Sequence, residues 1–436
     1  MSGAVEPFPS RHLRATFRAL ATRDYRLWAA AALVSNLGTW MQRTAQDWLV
    51  LTELTAHSAA ALGLVTALQF APQVLLLPLI SHAADRLDRR RLLIATQSIM
   101  AVLALALAVL ILTGAIRLWE AYLLALLLGV VTAFDSPARG AFVSDLVPAR
   151  DLANAVALNS LSFNVARACG PALGGILIGS LGTGPVFLIN AASFGAVLMA
   201  LRRLRRSPAP RASRIVAAPR AFAEGLRYVA THPEIKAALA MFFLIGAAGV
   251  AFPILISAMT VRVFHAGAAR YGLLTSLMAA GAVGGALFAA SRSPRFSVLQ
   301  WAAAVLAVAG VAAAVAPGFV AFACLLPVLG FAIQVFTTSA NSLIQSSAEP
   351  ALRGRLLALL IASALGGAPI AAPLAGWIAD GLGPRAAFLE VAVLAGAALA
   401  MGSRLRRAER AGCAAAPSAL SQSHPATTPA ALAVQD

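Results

Sequence analysis

Polar and charged residues recur at helical spacing inside three stretches of sequence that are otherwise apolar. The first stretch has four such residues, each three or four positions from the next: Asn36, Thr39, Arg43 and Asp47. Residues at that spacing share one face of a helix. A carboxylate there can carry a proton and a guanidinium can bind an anion. Because a charge costs about 2.5–3.5 kcal/mol near the centre of a membrane helix, we expect this face to line a protein interior or a wet cavity.

Two further stretches repeat the arrangement. Asp135 and Arg139 are four residues apart in one, and Asn164 and Arg167 are three apart in the other. The carboxylate nearest to Arg167 in depth is Asp135, which predicts an ion pair between these two residues. Asp47 and Asp135 are the candidate proton-coupling residues. Asp47 is the better candidate for carrying the proton, since only one arginine lies on its own helix.

The predicted cavity takes neutral polar groups from a later part of the chain. The full predicted set of cavity residues is Asn36, Arg43, Gln46, Arg139, Asn164, Arg167, Gln334, Thr338 and Asn341. Transporter sites lie near the middle of the membrane, where such stripes from several helices would meet. A set of static ion pairs that hold the helices together is the alternative interpretation, and it stays open here.

Membrane helices must position these residues. Of the 436 residues, 60% are hydrophobic and 12% are charged, with a mean hydropathy of +0.81, so too little polar surface exists to cover a soluble body. A helical crossing needs about 20 apolar residues. Runs of that kind cover residues 27–51, 58–81, 92–114, 118–143, 152–180, 184–201, 235–259, 271–291, 298–316, 319–346, 352–379 and 385–403. The sequence therefore predicts an all-α membrane protein with twelve transmembrane helices.

The chain also repeats itself. Adding 202 to the residue number takes Phe134 to Phe336 and Pro171 to Pro373, which indicates two related halves of six helices each. The predicted parts are an N-terminal segment (1–22), a six-helix bundle (23–203), a linker with an amphipathic helix (204–234), a second six-helix bundle (235–403) and a disordered tail (404–436).

The basic residues are distributed unevenly between the predicted loops. Of 34 basic residues, 27 fall on the side that holds both termini, four on the other side and three within the membrane. By the positive-inside rule, both termini are then cytoplasmic. This bias accounts for the formal net charge of +17 without nucleic acid as a partner.

A charged loop, SHAADRLDRRRLL, follows the second apolar run. It resembles the signature loop of the major facilitator superfamily, G-x-L-A-D-R-x-G-R-[RK], with Ser81 and Asp88 where the family has glycine. A solvated positive-inside loop is the alternative interpretation of its charges. The resemblance implies a twelve-helix fold in two pseudo-symmetric halves and a cytoplasmic latch between them. The latch residues would be Asp85, Arg86, Arg89, Arg90 and Arg353.

The string GPALGG in the fifth run is similar to the core of the antiporter signature GPxxGG of the same superfamily. Its residues are Gly170, Pro171, Gly174 and Gly175. Proline removes a helical hydrogen bond and glycine permits close helix contact, which favours a bent and tightly packed helix. An ordinary packing face of small residues is the alternative. Four other strings, SNLGTWMQRTAQDWLVL, FDSPAR, NSLSFNVAR and EGLRYV, together resemble the branch of enterobactin-type siderophore exporters and drug-efflux proteins, over about residues 20 to 403.

The resemblance implies a secondary transporter of the bacterial inner membrane that exports a small amphipathic molecule by proton antiport. Its partners would be that substrate, protons and the lipid bilayer, and the protein would be a monomer without cofactors. A proton-coupled uptake symporter of the same fold is the nearest alternative. A membrane-embedded enzyme is less favoured, because all six histidines lie outside the apolar runs or at their ends and no metal-ligand spacing occurs. A non-transporting receptor would not need buried charges on three helices.

Overall fold

A computed structural model of the chain describes residues 17–77, 79–80, 83, 87–204, 227–347, 352, 356, 359–360, 362–363 and 366–415. Twelve long helices occur in these residues. They are α1 (Arg23–Trp48), α2 (Ala59–Leu75), α3 (Arg89–Leu112), α4 (Leu118–Leu146), α5 (Leu152–Leu181), α6 (Thr183–Arg203), α7 (Pro233–Ala258), α8 (Ala268–Ala290), α9 (Phe296–Ala314), α10 (Phe319–Ser347), α11 (Ala368–Gly381) and α12 (Pro384–Ala415). The predicted all-α membrane fold is confirmed.

Nine of the described helices are long and apolar enough to cross a membrane. The other three are α1, whose polar face lowers its hydropathy, α2 with 17 residues and α11 with 14 residues. The described parts of α2 and α11 border on positions that the structure does not describe. Twelve crossings therefore stay a prediction, as do the boundaries of the five predicted parts.

The structure bears on two of the predicted parts, the C-terminal tail and the linker. The prediction that the chain is a disordered tail from residue 404 onward is wrong as far as Ala415, because α12 continues to that residue. The segment RLRRAERAGCAA is rich in alanine, arginine and leucine, which are strong helix formers, so the helix extends past the apolar run. Most of the predicted linker helix lies outside the described residues; positions 227–231 are helical.

The two halves pack in the same way. In the first half α1 packs against α5 and α6, and α3 packs against α6; six helices later, α7 packs against α11 and α12, and α9 packs against α12. The helix ends repeat as well. Gly182 after α5 and Gly383 after α11 both have positive φ, at 84° and 94°, which glycine adopts without steric cost. The repeat in the sequence is thus a repeat in the fold.

A short π-helical turn ends the first helix of each half. It covers Leu49–Glu53 after α1 and Met259–Val263 after α7. Turns of this kind are rare and frequently mark functional sites. Asp47 lies just before the first turn, and Arg262 lies within the second.

We call the side at which α1 begins the terminal face and the side at which it ends the distal face. In the described residues, the most extensive contacts between the halves are those of two helix pairs, α5 with α8 and α2 with α11. In the first pair, the missing side chain of Gly272 leaves room for the carbonyl oxygen of Pro171. In the second, Gly63 lies against the backbone of Ala372. Both close approaches lie toward the distal face, so the halves are in contact there.

Candidate substrate and proton site

Asp135 lies at the centre of a polar cluster inside the first half. The residue is 4% exposed. Three side chains donate hydrogen bonds to its carboxylate. On α3, Thr96 Oγ1 and Gln97 Nε2 each lie 2.7 Å from Asp135 Oδ1. On α4, Arg139 Nε lies 3.3 Å from Asp135 Oδ2. Arg139 NH1 also donates to Asn36 Oδ1 at 3.2 Å, so the cluster joins α1, α3 and α4.

The predicted ion pair between Asp135 and Arg167 is not formed. Asp135 instead pairs with Arg139, four residues further along the same helix. Residues at that spacing lie one above the other on a helix, so this pair needs no particular rotation of a second helix. Arg167 is left without any described carboxylate within salt-bridge distance.

Arg167 lies between the two halves on α5. Its NH2 group donates to Asn164 Oδ1 at 3.0 Å and to Gln334 Oε1 of α10 at 3.3 Å. Gln334 Nε2 in turn donates to Thr338 Oγ1 at 3.0 Å. The Nε atom of Arg167 is buried and has no hydrogen-bond partner among the described residues. The structure thus links four of the predicted cavity residues, Arg167, Asn164, Gln334 and Thr338, by hydrogen bonds.

Asp47 is bound by the other half of the protein. The hydroxyl of Tyr271 on α8 donates to Asp47 Oδ2 at 2.7 Å, and the ring of Tyr271 stacks on Trp48 with centroids 6.2 Å apart. Tyr271 is 1% exposed. The nearest charged neighbour on the same helix, Arg43, forms no ion pair within 4.0 Å with any acid in the described part of the chain. The hydrogen bond from Tyr271 therefore connects a candidate proton carrier to the contact between the halves.

Arg43 contacts an aromatic ring instead of an acid. Its Cζ atom lies 5.1 Å from the ring centroid of Trp40, in the range of a cation–π interaction. Trp40 also contacts Phe163 of α5 edge-to-face, with centroids 5.7 Å apart.

Two further predicted cavity residues, Gln46 and Asn341, contact neither Arg167 nor the Asp135 cluster among the described residues. Gln46 is 3% exposed and accepts a hydrogen bond from Gln69 Nε2 of α2 at 2.9 Å, so it faces the interior of the first half rather than a shared cavity. On this side of α1, Gln46 lines a small pocket together with Leu103 of α3 and Leu124 of α4. Asn341 lies further along α10 and accepts a hydrogen bond from Gln345.

Only part of the predicted latch lies in described residues. Asp85, Arg86 and Arg353 lie outside them. Arg89 NH1 pairs with Asp145 Oδ1 at 2.9 Å, and Arg90 NH2 donates to the carbonyl oxygen of Arg202 at 3.3 Å. The described contacts of Arg89 and Arg90 are with the first half, to which they belong.

The glycines of the GPALGG string lie at helix contacts. Gly170 lies against Trp40 and Gly174 against Met41, both on α1, while Gly175 lies against Ala268 of α8. A Cβ atom on Gly175 would come within 2.5 Å of the Ala268 carbonyl oxygen. The string therefore packs α5 between its own half and the other half, and its role in antiport stays a prediction.

A cluster at the distal face, which we call the distal clasp, joins the halves where α11 ends against the start of α2. Asp380 at the end of α11 accepts hydrogen bonds from Ser58 Oγ at 2.8 Å and from the main-chain N–H groups of Ala59 and Ala60 at 2.9 Å. Arg262 NH1 donates to the same carboxylate at 3.0 Å. Asp380 thus occupies the N-terminus of α2, where the unpaired N–H groups and the helix dipole favour a negative charge.

Sequence reasoning missed three partners of the charged residues. Thr96 and Gln97 are the polar pair within an apolar run at the depth of Asp135, which is a usable signal. Tyr271 is the first residue of an apolar run and lies near the depth of Asp47 in the membrane. Asp380 lies apart from the polar stripes, at the end of α11, where a carboxylate can cap another helix.

Comparison with known proteins gives one family. A family model described as transmembrane secretion effector matches residues 14–427. The staphyloferrin A transporter of Staphylococcus aureus is 29% identical over 252 residues, which cover 57% of this chain and 62% of that protein. The multidrug efflux pump Tap of Mycolicibacterium fortuitum is 29% identical over 379 residues, 83% of this chain and 91% of that protein. The chain thus aligns with less than two thirds of the staphyloferrin A transporter but with most of Tap.

Solved structures show the same fold. A bacterial homologue of the human lysosomal transporter Spinster, in an inward-facing and occupied conformation, superposes with a TM-score of 0.71 at 17% identity and covers 88% of this chain and 97% of that one. The nucleoside transporter NupG gives a TM-score of 0.66 at 15% identity, with 88% and 98% covered. Because the family model matches nearly the whole chain, the protein belongs to the transmembrane secretion effectors of the major facilitator superfamily and is a multi-pass membrane protein.

Proposed function

We propose that this protein exports a small amphipathic molecule from the cytoplasm in exchange for protons, by alternating access. Membership of the transmembrane secretion effector family supports a transport function. The names of its relatives, a siderophore transporter and a multidrug efflux pump, support a siderophore or a drug-like compound as the substrate class. Export rather than uptake is supported by the GPALGG string and by the resemblance to the efflux branch.

The proposed orientation follows from charge. In the predicted topology, 27 of the 34 basic residues fall on the side that holds both termini. The terminal face is therefore assigned to the cytoplasm, with the chain in the inner membrane. The described contacts between the halves lie mostly toward the distal face. With this orientation, the conformation described here is closed toward the outside.

The observation that carries the proposal is the hydrogen bond between Tyr271 and Asp47. A hydrogen bond to an ionised carboxylate is roughly twice as strong as one between neutral groups, so the strength of this contact depends on whether Asp47 holds a proton. The contact joins the two halves and must break when they separate at the distal face. Protonation of Asp47 and the conformation of the protein are therefore coupled, and the coupling acts in both directions.

Asp135 is less suited to carry a proton. Three donors already bind its two oxygens, and one of them is the guanidinium of Arg139. With three donors around it, the ionised carboxylate of Asp135 stabilises the packing of the first half. We assign it the role of holding α1, α3 and α4 in register around Arg139.

The test uses inverted membrane vesicles that take up a panel of siderophores and drug-like dyes while a proton gradient is imposed. We expect uptake that a protonophore abolishes in the wild type. Asp47→Asn should abolish gradient-driven uptake, and Tyr271→Phe should weaken its dependence on the gradient. Glu234→Gln, which changes an exposed carboxylate at the terminal face, is the matched control and should transport normally.

Two results would contradict the proposal. Gradient-driven uptake by Asp47→Asn at the wild-type rate would remove Asp47 as the proton carrier. Accumulation in right-side-out vesicles, driven by an inward proton gradient, would make the protein an uptake symporter instead.

A further inference from the structure

We infer that Arg167 binds a carboxylate, or a similarly planar monoanionic group, of the transported molecule, and that Trp40 and Phe163 receive an aromatic or apolar body beside it. This inference rests on the proposed transport function and names the substrate class of its site.

One edge of the Arg167 guanidinium, the edge that carries Nε–H, is only partly paired by the described residues. One of its terminal nitrogens donates to two neutral amide oxygens, those of Asn164 and Gln334, while its buried Nε–H has no partner in the described residues. A buried polar group without a hydrogen bond is costly, and a buried charge more so. The guanidinium presents its N–H groups as a rigid fork that matches the two oxygens of a carboxylate. An anionic ligand would give the Nε–H group a hydrogen-bond acceptor and would also balance the buried positive charge.

No described acid competes for that edge. Asp135 is occupied by Thr96, Gln97 and Arg139, and Asp47 accepts its hydrogen bond from Tyr271. A static ion pair therefore does not account for Arg167. Its positive charge is available to a ligand.

An aromatic surface lies beside this edge. Phe163 is four residues before Arg167 on the same face of α5 and is 47% exposed. Gly170, three residues after Arg167, brings α5 against Trp40, whose ring meets that of Phe163 edge-to-face. A ligand with a carboxylate next to a ring system would contact α1, α5 and, through Gln334, α10. It would thus lie between the two halves, near the middle of the membrane.

The chemistry favours one negative charge. The groups around Arg167 are amides rather than further cations, and Arg43 is held over the ring of Trp40. A dianionic phosphate usually binds several cationic or main-chain donors. A single guanidinium with two neutral amides suits a monoanion better.

The test compares two probes of the same shape, 2-naphthoate and 2-naphthamide, by thermal unfolding of the purified full-length protein. We expect 2-naphthoate to raise the melting temperature at concentrations at least about tenfold lower than 2-naphthamide, since a hydrogen bond to a charged group contributes about 1.5–3 kcal/mol. Arg167→Gln should remove the difference. Arg167→Lys, which keeps the charge without the fork, should retain only part of it.

The matched control is Arg292→Gln, which removes another arginine that lies over an aromatic ring, that of Phe288, at the end of α8. It should keep the wild-type preference. Equal stabilisation of the wild type by the two probes would overturn the inference, and this comparison needs no variant to fold. A preference that survives Arg167→Gln would overturn it as well.

These outcomes are separable from those of the transport test. A preference for 2-naphthoate that depends on Arg167, in a protein without proton-driven export, would keep the inference and refute the proposed function. Proton-driven export without that preference would do the reverse.

Discussion

The distal clasp makes a sharp prediction about the conformational equilibrium. Asp380 belongs to the second half, and three of its four hydrogen-bond donors, Ser58 and the N–H groups of Ala59 and Ala60, belong to the first. These bonds exist only while the halves touch at the distal face. Asp380→Ala should therefore destabilise the state that is closed there relative to the state that is open.

The magnitude can be worked from the geometry. Loss of a side chain that caps a helix N-terminus costs about 0.5–2 kcal/mol. The side chains of Arg262 and Asp380 are 30% and 28% exposed, so solvent screening limits the contribution of their ion pair to about 0.2–1 kcal/mol. Because Arg262 lies in the same half as Asp380, this ion pair contributes to closure at the distal face only indirectly. A total near 2 kcal/mol corresponds to a shift of about 30-fold in the ratio of closed to open molecules.

The assay is a distance measurement between two spin labels at the distal face. The labels are attached at Ala56→Cys, in the loop before α2, and Leu382→Cys, in the loop after α11, after the native cysteines have been replaced by serine. Both positions are exposed and lie in different halves. Asp380→Ala should raise the fraction of long distances.

The control is Glu120→Ala. Glu120 is also a carboxylate of the distal face at a helix start, but it accepts its hydrogen bond from the main chain of Arg117 in its own half. Its loss should leave the distances unchanged. An identical distance distribution for Asp380→Ala and the wild type would refute the reasoning, since the contact would then contribute nothing to closure.

Two further predictions concern helix contacts. Gly272→Val should place a side chain against the Pro171 carbonyl oxygen, force α8 away from α5 and increase the same long distances; a wild-type distribution would contradict it. Asp135→Asn should leave the buried guanidinium of Arg139 without its acid and lower stability by about 3–5 kcal/mol, measured as a lower melting temperature. Arg139→Gln should partly restore it in the double variant, whereas Arg167→Gln should not; the opposite pattern would contradict the pairing seen here.

The sequence is a good guide to where the helices lie. Apolar runs bounded by charge or by glycine place the start of α4 at Leu118, α5 at Leu152 and α10 at Phe319, as the structure has them. The cause is physical: a chain in lipid must satisfy its backbone hydrogen bonds within each helix, so length and hydropathy leave few alternatives. Helix ends beyond the apolar core are less constrained, and α12 runs on to Ala415 because helix propensity alone decides there.

Contacts between helices are harder to foresee. That Tyr271 meets Asp47 depends on how α1 and α8 are rotated about their axes, and a single sequence states the faces of each helix but not which faces meet. The same holds for Asp380 and the start of α2, which are 320 positions apart in the chain. Glycine positions restrict these choices, since Gly272 and Gly175 allow the close approach of α5 and α8.

The partner of Asp135 shows where depth in the membrane is a weaker criterion than helix geometry. Matching by depth pairs Asp135 with Arg167, but that pair requires two helices to turn the right faces toward each other. Pairing with Arg139 requires only one helix, because four residues span little more than one turn of 3.6 residues. A same-helix pair therefore forms over a wide range of packings and competes first for the carboxylate. Once Asp135 is occupied in this way, no acid in the described residues pairs with Arg167, and its charge lies between the two halves, where we propose that an anionic substrate binds.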